Sequence, residues 1–536
     1  MPNWSEHFPY TTTRTSQVKA INFAIDAFIK KKKKFVIIEA GTGVGKSAIG
    51  LTVARYLDEH VTPPKDYGTG AYFLTTQKIL QEQYAYDFST MKSLKSSSNY
   101  QCSYMKKNSC AESLRAIRTA EKDSDFFKAC TFKCIYKQAK DEFLKSKESI
   151  TNFSYFLAET TYSGKITPRN VLVIDEAHNV AGELSKFIEI TITERFAKDA
   201  LKLHVPELKT QTQAIKWIQE IYAPKLYRHV KHVESMLEKY VSFKDKLKEF
   251  TTLAKQFDLL DKHTCKLRRF LELYEKNNWV CNLVPPEGKS GRRIEFKPID
   301  VAPYGEDMLF RSGKHTIMMS ATILDRHAFC ETLGIDMSQT EFIMLPSPFP
   351  IENRPVFFYG IGSMASQKIE VTLPKLAQAV QEILDNHATE KGIIHCHTFR
   401  IAKYLKSSLK SKRLLIHNSQ NRDEILKKHK KSKSPTVLLS PSMTEGVDLK
   451  GDTSRFQVIC KIPYPYLGDK LIRKKMHKWK WWYPLQTAKT IMQATGRSVR
   501  SKDDWAVTYI LDSDWDKFYN RNASLFNKEF KQCLRS

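Results

Sequence analysis

Residues 35 to 47 read FVIIEAGTGVGKS, and this string limits the fold more than any other stretch of the chain. FVIIE is a short apolar run of strand type, and the SAIGLTVARYL that follows has helical periodicity. Between them Gly41, Thr42, Gly43, Val44, Gly45, Lys46 and Ser47 form a P-loop. Such a loop works only at a strand-to-helix junction, where successive backbone N–H groups and the positive end of the helix converge on phosphate. Lys46 can then reach the β and γ oxygens, and Ser47 can offer its hydroxyl to magnesium. Ala40 stands where the eight-residue pattern has its first glycine, and the later glycines make the tight turn. The strand belongs in a parallel sheet, for which AYFLTT (71–76), VLVI (171–174) and TIMMS (316–320) supply further strands. An amphipathic helix is expected over 14–30, with Val18, Ile21, Ile25, Phe28 and Ile29 on one face.

VLVIDEAH, at 171–178, ends an apolar strand in two carboxylates and a histidine. Asp175 at a strand tip can hold magnesium directly or through water, and Glu176 is placed to polarise an attacking water. Without the P-loop upstream, the same string would read as an exposed acidic turn. A second alternation of strands and helices follows: VFFYG, a helix near 371–386, KGIIHC, a helix near 399–409, RLLIH, TVLLS, FQVICK and AVTYILD. SMTEGVDLKGD (442–452) and QATGRSVRS (493–501) lie within it. Gln493, Arg497 and Arg500 fall at steps of four and three, so a helix would gather them on one face. Guanidinium groups placed so can meet a γ-phosphate from the opposite wall of a cleft.

Two stretches break the alternation. Residues 95–150 are polar and rich in Lys, Ser and Cys, resembling neither a strand nor a regular amphipathic helix. They contain Cys102, Cys110, Cys130 and Cys134, spaced CysX7CysX19CysX3Cys. Four thiolates can hold a four-iron cluster or a tetrahedral zinc, and unliganded thiols are the third option. Cys396 and Cys460, in strand-like segments, read as small core residues. From about 190 to 300 apolar residues recur at mostly three- and four-residue steps, Leu226, Val230, Val233 and Leu237 among them, until VPPEGKSG ends the run.

Lys and Arg outnumber Asp and Glu by 86 to 58, a formal charge of +28, which favours a polyanionic partner such as nucleic acid over a merely Lys-rich solvated surface. With 41% hydrophobic residues the chain is not expected to be disordered. MPNWSEHFPY lacks the basic and apolar segments of a signal peptide, and no apolar run approaches the roughly 20 residues of a spanning helix. An intracellular protein without a membrane segment is expected, its ten cysteines being thiols or metal ligands.

Read together, these strings resemble a superfamily 2 DNA helicase of the XPD/DinG group, in family order over nearly the whole chain. YTTTRTSQ resembles the adenine-reading motif, with Arg14 and Gln17, and TTQKILQEQ (75–83) resembles motif Ia, which contacts the single strand. GTGVGKS and DEAH resemble motifs I and II. Ser320-Ala321-Thr322 resembles motif III, which with His178 couples hydrolysis to domain motion. HCHTFRIAKYL, TEGVDLKG (with Gly446 and Asp448 toward ATP) and QATGRSVR resemble motifs IV, V and VI, and SPFP (347–350) and IPYPYLGD (462–469) the linking segments.

The resemblance implies an α/β fold with two RecA-like P-loop domains, a cysteine-rich iron–sulfur insertion and a helical arch insertion. The first motor domain would take 1–94, 151–192 and 301–335, the cysteine-rich unit 95–150, the arch 193–300 and the second motor domain 336–536. It implies ATP, Mg2+ and a [4Fe-4S] cluster as cofactors, with zinc as the alternative, although the cysteine spacing departs from the close central pairs common in the family. It also implies a DNA-repair type of motor, monomeric, stepping 5′ to 3′ on single-stranded DNA and acting at single-strand/duplex junctions. A translocase that displaces proteins or clamps a strand without separating duplex is the alternative.

Overall fold

The computed structural model describes residues 3–41, 43–76, 78–106, 108–117, 120–164, 166–240, 247–286, 291–418, 420–441, 449, 451–496, 498–499 and 501–535. The strands, in chain order, begin with β1 (Phe35–Ala40), β2 (Gly68–Thr75), β3 (Lys92–Ser93), β4 (Glu148–Asn152) and β5 (Arg169–Asp175). There follow β6 (Ile190–Thr193), β7 (Trp279–Val284), β8 (Arg293–Pro298), β9 (Gly313–Ser320) and β10 (Thr340–Leu345). The remainder are β11 (Val356–Gly362), β12 (Gly392–His395), β13 (Leu414–Ile416), β14 (Val437–Ser440), β15 (Phe456–Ile459), β16 (Val507–Asp512) and β17 (Leu534–Arg535).

The first sheet runs β10-β1-β9-β5-β2-β4-β3, parallel throughout. Every residue of β1 and β5 is buried, as expected of strands covered on both faces. Alternate residues serve different cores. Val36, Ile38, Phe73 and Val173 pack with helices Thr15–Ile29 and Lys46–His60, whereas Ile37, Leu74, Leu172 and Ile174 face the insertions. Each fully buried aliphatic side chain contributes roughly 1.5–3 kcal/mol. The strand order sets the P-loop strand beside β9 and β9 beside β5, so the loops leaving three adjacent strand tips share one edge.

The second sheet, β13-β14-β12-β15-β16-β11-β17, is also parallel. Its strands fall where the apolar runs of the second alternation predict them, and Cys396 and Cys460 are in its core. Two strands lie differently from the sequence reading. β4, at the end of the stretch read as an insertion, pairs with β2, and β10, in the stretch assigned to the second domain, pairs with β1. The chain therefore leaves the first sheet at Leu345 and crosses to the second through SPFP.

Within 95–150 the chain forms helices Cys110–Ala116, Asp125–Phe132 and Ile135–Lys145, more regular structure than the polar composition suggests. The 190–300 block is helical, with Glu194–Leu201, Gln211–Trp217, Ala223–Tyr240 and Leu247–Leu273, but it also contains the antiparallel sheet β6-β8-β7. Its core is continuous with that of the first sheet. Among the described residues, no helix is long and apolar enough to cross a membrane.

Candidate nucleotide site and cysteine cluster

The P-loop turns where its glycines permit it. Gly43 and Gly45 take φ of 83° and 87°, the left-handed region that side chains disfavour. A Cβ on Gly43 would also overlap the Phe349 ring, and one on Gly45 would overlap the Gln17 amide. Arg14 donates from Nη1 to the Gly43 carbonyl, and its backbone N–H donates to Gln17 Oε1 at 2.9 Å. The two residues predicted to read adenine are therefore built onto the phosphate loop. Val44 and Lys46 are buried, and Lys46 Nζ donates to the Ala40 carbonyl at 3.4 Å, inside the loop it would vacate for phosphate oxygens.

Asp175 and Glu176 end β5 beside this loop. Glu176 takes a left-handed φ of 52°, which aims its side chain away from the strand, and its N–H donates to Asp175 Oδ1 at 2.9 Å. Burial, then the charge of Glu176, pushes the Asp175 carboxyl up, while Lys46 and the Tyr84 hydroxyl, which donates to Asp175 Oδ2 at 2.9 Å, oppose it. His178 Nδ1 shares a hydrogen bond with Ser320 Oγ at 2.8 Å and lies 3.3 Å from Glu176 Oε2. Ser320 Oγ also accepts from the Thr322 N–H at 3.1 Å. DEAH and Ser320-Ala321-Thr322 are thus one connected hydrogen-bonded unit.

Across the cleft, Gln493 Nε2 reaches Thr322 Oγ1 at 3.5 Å, a long contact between the domains. A space of about 840 Å³ separates the two sheets here, lined by Gly41, Thr322, Phe349, Met492, Gly496 and Val499 among others. Gln493 is on helix Trp482–Thr495, which ends at Gly496. The break follows from Gly496, a poor helix former, and from Val499, which turns in to pack with Phe349 and Ala506 while Ser498 bonds Ser454 Oγ at 2.7 Å. Arg497 and Arg500 themselves, with Thr42, Gly446 and Asp448, lie outside the described residues.

Three residues at the cleft were not singled out from the sequence as site residues. Phe349, in the segment read as a linker, covers the P-loop. Tyr84 touches both predicted magnesium ligands. Glu39, a carboxylate inside an apolar strand, was the one with a visible signal. Its Oε1 accepts from the N–H groups of Ile323 and Leu324, both at 3.1 Å, tying the P-loop strand to the segment after Ser320-Ala321-Thr322.

Burial pushes the Glu39 carboxyl up to about 7 against these two N–H groups. The fold holds the proton more tightly than the unfolded chain, so this contribution is complete below about pH 4.5 and is lost as pH rises through about 7. Glu39→Gln keeps the acceptor and removes the charge. Its stability relative to the parent chain should rise between pH 5 and pH 8 by on the order of 2–3 kcal/mol, read from denaturation midpoints at the two pH values. A constant difference would contradict this.

Cys102, Cys110, Cys130 and Cys134 come together and are all buried. Burial, then Cys134, pushes the Cys110 thiol up to about 11, and burial, then Cys102, pushes Cys130 up to about 12. The Met105 N–H donates to Cys102 Sγ at 3.2 Å, and Cys134 stands at the N-cap of helix Ile135–Lys145. This donor set fits a thiolate-bound centre.

Fold and site together define two parallel α/β sheets that meet at a P-loop nucleotide cleft. The model for the Helicase C-terminal domain matches residues 393–533, and that for the Type III restriction enzyme, res subunit, matches 11–205. The ATP-dependent DNA helicase DinG of Photobacterium profundum is 26% identical over 255 residues, covering 42% of this chain and 36% of the relative. The ATP-dependent DNA helicase YoaA of Escherichia coli is 22% identical over 431 residues, covering 71% and 66%. The alignments thus span about a third and just under two thirds of these relatives' lengths. In fold, a solved XPD helicase superposes with a TM-score of 0.64 at 17% identity, covering 96% of this chain and 99% of the other, and S. tokodaii Xpd4 with 0.58 at 15%, covering 98% and 100%. The chain is thus similar in sequence to DinG and YoaA and in fold to XPD helicases.

Proposed function

We propose that this protein is an ATP-driven DNA helicase that translocates on single-stranded DNA from 5′ to 3′. The observation that carries the reading is the cleft, where Gly41 of the P-loop, Ala321 and Thr322 of one sheet face Met492, Gly496 and Val499 of the other, and Gln493 reaches Thr322 across it. ATP held there touches both domains, so hydrolysis changes their spacing. Lys46 binds phosphate, Ser47 and Asp175 hold magnesium, Glu176 activates water and Arg497 and Arg500 meet the γ-phosphate. Gly446 and Asp448 complete the site from the second domain.

The charge of +28 supports a polyanionic track, and the DNA helicase relatives support DNA. The four cysteines hold a [4Fe-4S] cluster, a reading that their burial as a set of four thiols supports, with zinc the alternative. The motor acts as an intracellular monomer on DNA with single-strand/duplex junctions.

The test is ATP hydrolysis measured in parallel with single-stranded DNA, duplex DNA and RNA. Stimulation by single-stranded DNA well above the other two is expected. Equal rates with all three, or none with any, would defeat the proposal.

A further inference from the structure

Helix Lys78–Asp87 contains most of the TTQKILQEQ segment that resembles motif Ia and has two very different faces. Ile79 and Tyr86 on its outer side are 72% and 89% exposed. On its inner side Gln81 is pinned, donating from Nε2 to the Leu94 carbonyl at 2.8 Å and to Ser93 Oγ at 2.9 Å. One turn on, Tyr84 is buried, its ring centroid 6.2 Å from that of Phe73 and 5.9 Å from that of Phe88. Its hydroxyl donates to Asp175 Oδ2 at 2.9 Å, and the Ser47 hydroxyl is its other polar neighbour. A single phenol therefore links the two side chains assigned to magnesium, and it is carried by the helix that begins within the segment resembling motif Ia.

We propose that Tyr84 is a positioning residue through which single-stranded DNA on the outer face of this helix sets the geometry of the Ser47–Asp175 magnesium site. The inference rests on the motor reading and deepens it. A phenol carries one proton and accepts as well. By donating to Asp175 it fixes that carboxylate, and its own oxygen remains free to take the Ser47 proton, which turns a serine lone pair toward the ion's place. A ten-residue helix moves largely as a unit, so a shift of its outer face reaches the hydroxyl. An ordinary core tyrosine would need only some partner for its hydroxyl, whereas this one contacts both predicted ligands.

Tyr84→Phe removes the hydroxyl and keeps the ring between Phe73 and Phe88. The readout is the magnesium concentration giving half-maximal binding of a fluorescent ATP analogue, with and without oligo-dT, alongside oligo-dT affinity and the thermal midpoint. In the parent chain oligo-dT should lower the magnesium midpoint. In the variant the midpoint should rise about tenfold, the size of one hydrogen bond to a charged group, and oligo-dT should no longer shift it, while oligo-dT affinity and thermal midpoint stay unchanged. An unchanged magnesium midpoint with an intact oligo-dT shift would overturn the proposal, and so would equal loss of oligo-dT binding and thermal stability. If the parent chain binds no oligo-dT, the motor reading fails, while the strand-free midpoint still decides whether Tyr84 positions the ligands.

Discussion

Lys46→Ala and Glu176→Gln will each reduce DNA-stimulated ATP hydrolysis by at least about 100-fold, by different routes. Lys46 is buried inside the loop, its Nζ donating to the Ala40 carbonyl, so its loss leaves the β and γ oxygens without their fixed cation and weakens nucleotide binding as well as turnover. Glu176 contributes little to holding phosphate. Its left-handed backbone and the neighbouring His178 place a carboxylate at the strand tip, free to take a proton from water. The Gln variant should therefore bind ATP with nearly parental affinity and fail only in the chemical step. Equilibrium binding and single-turnover hydrolysis separate the two, and parental turnover in either variant would contradict the assignment.

Loss of the cluster is the second large effect. Anaerobically purified protein should be brown, absorb in the visible, and contain iron and sulfide in place of zinc. Cys134→Ser should bleach it and strongly reduce strand separation. Cys134 caps helix Ile135–Lys145, whose Phe143 is buried in the first domain's core and whose Tyr136 bonds the Tyr155 hydroxyl at 2.8 Å. Destabilisation should thus start in the cysteine-rich segment, which has little apolar surface of its own, and leave the P-loop able to bind ATP. Stoichiometric zinc, or a colourless metal-free protein that unwinds normally, would refute the cluster and leave the motor standing.

Much of this was legible because buried parallel strands and a P-loop leave strong local signatures. The apolar runs of β1, β5 and β9 led directly to three adjacent strand tips, and thereby to Lys46, Asp175 and Ser320 in one place. What escaped depends on tertiary partners. β6, β7 and β8 are short antiparallel strands within helical periodicity, and β10 follows a helix that gives no hint of which sheet it will join. The end of the Gln493 helix at Gly496 was equally hidden, because spacing alone cannot register that Val499 packs against Phe349. Tyr84 carries no local mark, since its role comes from a carboxylate 91 residues away.

The most direct measurement is ATP-dependent strand separation on two duplexes that differ only in having a 5′ or a 3′ single-stranded tail. The account predicts separation of the 5′-tailed duplex, dependent on hydrolysis and absent in Glu176→Gln. Hydrolysis stimulated by single-stranded DNA with neither duplex opened, even when the same protein strips a bound protein from the strand, would contradict it.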